Sequence, residues 1–193
     1  MISKRIEQLR NKFKKFNIDG YIIPKNDEFF SEYSTVNRLK IISNFSGSAG
    51  LALVLKRNNY LFVDGRYTVQ AKQESGKLFK IVEIHKFLPK NIIKNLSLGY
   101  DPSLHTIRQL NNYFGKSVIL KQINKNLIDK IYKEKDSKIK YFFSLNNKIA
   151  GENFKSKVNK IRNILNSNKA DYLFVSAPEN VAWVLNIRGS DNP

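Results

Sequence analysis

The sequence predicts an α/β fold, a mixed β-sheet flanked by helices, followed by the incomplete start of a second, similar domain. Three observations carry that prediction. Short apolar runs such as Tyr21-Ile22-Ile23, Leu51-Ala52-Leu53-Val54-Leu55 and Tyr60-Leu61-Phe62-Val63 have the length and the β-branched or aromatic content of buried strands. They alternate with segments whose apolar residues recur at helical spacing, the pattern of helices layered on a sheet. From Gly151 the opening order of helix, acidic turn and strand begins again.

Taken in order, Ile2, Ile6, Leu9, Phe13 and Phe16 share one helical face, with lysines on the other. Asn17 and Gly20 end that helix, and the strand Tyr21-Ile22-Ile23 stops at Pro24. Residues 25–40 are polar and irregular. The runs 51–55 and 60–63 flank the turn Lys56-Arg57-Asn58-Asn59 and form a hairpin. A helix over about 67–74 closes before Gly76. Strands are predicted at 80–84, 98–100 and 117–120, with helices near 89–96, 104–114 and 125–133 between them. These elements form a first domain, residues 1–140. Residues 141–193 then supply a linker and a partial second domain: a helix carrying Phe154, Val158, Ile161, Ile164 and Leu165, a strand Tyr172-Leu173-Phe174-Val175, and a helix face with Val181, Trp183, Val184 and Leu185. So few residues cannot build a sheet and bury a helix against it: either they pack on the first domain by an unusual route, or the sequence is a fragment of something longer.

Composition narrows the function. The 193 residues include 34 Lys and Arg against 16 Asp and Glu, a net charge of +18. Such a balance favours polyanions, and nucleic-acid binding is one reading. Yet lysine predominates, is spread along the chain in pieces such as Lys12-Lys14-Lys15 and Lys133-Lys135-Lys138-Lys140, and accompanies abundant Asn and Ile, a background of biased codon usage. No nucleic-acid-binding motif accompanies it. Cysteine is absent, which removes disulfides and thiolate chemistry. There is no apolar run of membrane-spanning length and no signal-peptide pattern at the N-terminus, so the expectation is a cytoplasmic protein.

Few side chains offer chemistry. Arg66 in Asp64-Gly65-Arg66-Tyr67 is a permanent planar cation that can fork onto a carboxylate or peptide carbonyl. It can equally pair with Asp64 and hold the turn. Asp64 and Gly65 suit a helix start. Ser46-Gly47-Ser48-Ala49-Gly50 lacks the Gly-Lys-Ser/Thr end of a phosphate loop and falls one residue short of a nucleophile elbow, which leaves a close-packed turn. His85 and His105 form no ligand pair and are expected on loops or the surface. No catalytic or metal-ligand set can be assembled.

Six segments in sequence order carry a resemblance: Ser31-Glu32-Tyr33, Ile42 to Gly50, Phe62-Val63-Asp64-Gly65-Arg66-Tyr67, Asp101-Pro102, Asn126-Leu127-Ile128-Asp129-Lys130-Ile131, and Ala182 to Asp191. Together the chain resembles the N-terminal region of Xaa-Pro aminopeptidase (aminopeptidase P), in the creatinase/prolidase superfamily. Long members have two related N-terminal domains followed by a pita-bread catalytic domain. That domain holds two divalent metal ions, usually manganese, and removes an N-terminal residue preceding proline. The resemblance implies that residues 1–193 are the non-catalytic first domain and the opening of the second, with no bound cofactor of their own. It makes Arg66 a contact for a peptide substrate with proline at its second position, and leaves a homodimer open. A stand-alone protein-interaction module is the alternative, since inactive relatives exist.

Overall fold

The structure, a computed structural model, describes residues 1–30, 36–132 and 141–189. The chain divides into two compact units, residues 1–135 and 136–193. The expected boundary near 140, the Ser31-Glu32-Tyr33 segment, Ser190 and Asp191 lie outside the described residues.

The first unit is a mixed α/β layer built as its apolar periodicity dictates. Helix α1 (Ile2–Phe16) buries Ile6, Leu9 and Phe13 and ends at Asn17 in the left-handed region, φ 49°. It leads into β1 (Gly20–Pro24), a short helix α2 (Arg38–Ser43), the hairpin β2 (Gly50–Leu55) and β3 (Asn59–Val63), then α3 (Thr68–Ser75), β4 (Lys80–Glu83), α4 (Pro89–Ile92), β5 (Ser97–Tyr100), α5 (Ile107–Phe114) and β6 (Ile119–Gln122). The strands form a six-stranded sheet in the order β4-β3-β2-β1-β5-β6. β2 runs antiparallel to both its neighbours and every other pair is parallel.

Side chains alternate across this sheet with the strand period of two. Tyr21, Ile23, Ala52, Val54, Leu61 and Val63 face one core, shared with α1, α2, α3 and residues Ile123, Leu127 and Ile128. Ile22, Leu51, Leu53, Leu55 and Phe62 face the other, covered by Ile93, Leu110 and Phe114. Register is therefore fixed, because a one-residue slip would exchange the two faces.

Four expectations need correction. Residues 125–133 do not form a helix: the described part is a run of turns, because Asn126 spends its side chain on local bonds, accepting from the Ile128 amide at 2.9 Å and donating to Asp101 at 2.9 Å. Part of the supposedly irregular 25–40 segment begins α2, whose Asn37 caps the Lys40 amide. The helix near 89–96 is a single turn. Tyr172–Val175 is not a strand, since no neighbouring strand pairs with it among the described residues.

The second unit contains β7 (Phe143–Ser144), α6 (Asn147–Ala150), α7 (Phe154–Ser167), α8 (Pro178–Leu185) and β8 (Ile187–Arg188), with β7 and β8 antiparallel. Among its described residues no apolar side chain is fully buried; Lys157 and Asn186 are. The Lys157 ammonium donates to Trp183 O at 2.8 Å and Asn186 Oδ1 at 2.7 Å and lies 4.1 Å from the Trp183 ring centroid. It thus caps the carbonyl end of α8, where the helix dipole is negative.

Candidate functional site

The carboxyl ends of β1, β3 and β4 lie at one edge of the sheet, and the reversed β2 brings its first residue, Gly50, to the same edge. Ligands in open α/β sheets bind at that edge. Here it carries a cavity of about 340 Å³. Leu51, Phe62, Ile84 and Tyr113 give it apolar walls, while Lys25, Asn26, Ser48, Asp64, His85 and Gln109 supply polar groups.

Arg66 lies on a 3₁₀ turn, Gly65–Tyr67, that follows β3 and is capped by Asp64, one of the residues lining the cavity. Asp64 makes the turn: its Oδ1 accepts from the Arg66 amide at 3.0 Å and from Arg66 Nε at 2.9 Å. Its other oxygen meets His85 Nε2 at 3.3 Å. The Arg66 amide, then its guanidinium, then His85 hold the Asp64 carboxyl well below the usual range, at about 2. Arg66 is therefore paired with Asp64 as its residue type allowed, yet its side chain remains three-quarters exposed, so the pairing orients the guanidinium without removing it from solvent. Tyr67 braces the turn through its hydroxyl, 2.9 Å from Ser48 Oγ, and an edge-on contact with Phe45.

The Ser46–Gly50 loop is the close-packed turn expected. Ser46 donates its amide and hydroxyl to the Glu74 carboxylate, both at 2.7 Å, and a side chain at Gly47 would strike the Phe45 ring. Asp101-Pro102 and Asn126–Ile131 also prove architectural: Asp101 caps Ser103 and accepts from Asn126, and Tyr21 Oη accepts from the Leu127 amide at 3.3 Å. Asp129 and Glu28 both hold Arg38, a nearly buried cation, at 2.9 and 2.8 Å. Arg38 escaped the sequence reading because nothing local marks a pairing across 91 residues. His85 is exposed as expected, but His105 is not: it is buried against Tyr100 with Nδ1 3.2 Å from Gln109 Oε1, and desolvation lowers its pKa. No group of three or more His, Cys, Asp or Glu able to hold a metal exists among the described residues.

Residues 5–130 match the Creatinase/Prolidase N-terminal domain family, and residues 133–193 match a second family of the same description. The chain belongs to the creatinase/prolidase N-terminal domain family. Xaa-Pro aminopeptidase 1 of Dictyostelium discoideum is 33% identical over 98% of this chain and 34% of its own length. The X-prolyl aminopeptidase of Caenorhabditis elegans, described as a cytosolic enzyme with a di-nuclear active site, superposes with a TM-score of 0.77 at 25% identity, over 100% of this chain and 35% of that one. The N-terminal domain of the cytoplasmic peptidase PepQ from Mycobacterium tuberculosis shares the creatinase-type fold, with a TM-score of 0.51 at 20% identity over 67% of this chain and 98% of that one. The creatinase-type chain thus spans about a third of the length of its curated relatives. No helix among its described residues is long and apolar enough to cross a membrane.

Proposed function

We propose that this chain is the N-terminal, non-catalytic region of a cytoplasmic, metal-dependent Xaa-Pro aminopeptidase, and that Arg66 holds the peptide substrate of the complete enzyme. The observation that carries the reading is the similarity of nearly the whole chain to one third of an Xaa-Pro aminopeptidase. In this assignment residues 1–140 are the first domain, and 141–193 are the linker and the start of the second. Two divalent ions, manganese by family resemblance, would supply metal-activated water for hydrolysis. By the same resemblance those ions belong to the C-terminal catalytic domain, and the contribution of this chain is binding. Arg66, oriented by Asp64 and exposed along most of its side chain, offers N–H donors to a peptide carbonyl or carboxylate.

The coding sequence beyond residue 193 tests this reading: an in-frame metal-binding domain supports it and a stop codon overturns it. A matching expectation is that residues 1–193, given manganese, release no amino acid from an Xaa-Pro peptide above a metal-free control. The competing reading, an interaction module, draws on the second unit, where Tyr172 and Phe174 are 90% and 89% exposed. Large exposed apolar groups of this kind mark association surfaces.

A further inference from the structure

We propose that the cavity at the strand ends is a specificity pocket for an apolar or aromatic side chain of the peptide, downstream of its proline. The inference rests on the assignment of Arg66 as a peptide contact and extends it to a substrate class. The pocket is assigned to residues beyond the proline because the family resemblance puts the metal ions that cleave the bond before it in the C-terminal catalytic domain.

The geometry selects what those residues bring. Asp64 and His85 line the cavity, and Asp64 also holds Arg66, so the residue that orients the guanidinium is itself part of the cavity wall. The walls are the apolar Leu51, Phe62, Ile84 and Tyr113, and about 340 Å³ is at the small end of ligand pockets, with room for one large side chain. Phe30, at the rim, is half-exposed and sits at φ 59°, a conformation that bulky residues rarely adopt. Its ring supplies an aromatic edge against which an entering side chain can pack. Asn26 and Gln109, themselves held by Leu104 O and His105 Nδ1, add polar edges to the lining.

The test is binding of Ala-Pro-Gly-Gly, Ala-Pro-Phe-Gly and Ala-Pro-Gly-Phe to the 193-residue chain, followed by amide chemical shifts. One phenylalanine peptide should bind at least about tenfold more tightly than the glycine peptide, with the largest shifts at Ile84, His85 and Tyr113. Ala49→Leu, which adds bulk to the lining, and Ile84→Asp, which charges its wall, should each abolish that preference while the amide spectrum of β1 to β3 stays that of the folded chain. Arg66→Ala should weaken all three peptides by a common factor. Equal affinities for the three peptides, no shifts at the cavity, or a preference that survives both cavity variants would overturn the pocket. An Arg66→Ala variant that binds every peptide normally would sink the Arg66 assignment alone, since the phenylalanine preference is read separately.

Discussion

At the scale of single residues, the turn after β3 shows how a paired side chain can still serve a ligand. Asp64 accepts from Arg66 twice and meets His85, and its carboxyl is held at about 2. A carboxylate depressed in the fold contributes stability that is present above the unfolded value, about 3.9, and is lost as pH falls through the folded one. The turn should therefore persist to about pH 2. Carbon-detected titration should place Asp64 near 2 in the parent chain and closer to the ordinary carboxylate range in Arg66→Ala; an unchanged value would mean that the guanidinium does not act on it. The motif Asp-Gly-Arg-Tyr was legible because Asp and Gly have local turn chemistry that spacing reveals. The cavity was not, since Asn26, Ile84, Gln109 and Tyr113 meet only after the sheet assembles. His105 was misjudged for the same reason: polar neighbours in sequence say nothing of the Tyr100 ring that covers it.

At the scale of elements, glycines mark where strands approach most closely. A methyl group at Gly20 would press on the Leu55 side chain and lie 2.9 Å from Val54 O, a backbone atom fixed by the β1–β2 ladder. At Gly99 the opposing atoms are the side-chain ends of Ile123 and Ile18, at 2.7 and 2.9 Å. Overpacking costs about 1–3 kcal/mol, offset by about 0.4–1 kcal/mol from the stiffer unfolded chain. Gly20→Ala should be the more damaging of the two, because its partner cannot rotate away; urea denaturation that ranks them in reverse would refute that reasoning. In the second unit, Lys157→Met leaves Trp183 O and Asn186 Oδ1 without their donor. Local opening of α7 and α8, read by hydrogen exchange, should become easier by about 1–3 kcal/mol. The hairpin and α1 were legible because their periodicity is local. Tyr172–Val175 has the composition of a strand, but a strand exists only through a neighbour, and composition cannot report whether one is present.

At the scale of the molecule, apolar burial is unevenly shared. Every fully buried apolar residue among those described lies between Ile6 and Ile128, whereas Leu173, Phe174 and Trp183 of the second unit are exposed. Few buried contacts mean a low free energy of local opening. Hydrogen exchange should be slow in β1, β2 and β3 and fast across 141–189; uniformly slow exchange would show that the second unit has found a complete core. The contacts of α1 have another consequence. Arg5 lies 4.5 Å from the Tyr132 ring centroid, and Lys130 stands 5.1 Å from that of Phe16. The first helix of the unit thus rests on nearly its last residues. At about 5–20 residues per second, a nascent chain waits roughly 6–25 s between the two. Throughout that interval the amphipathic α1 has no finished surface to lie on, and the face that carries Ile6, Leu9 and Phe13 waits for the unit's last residues to complete its cover.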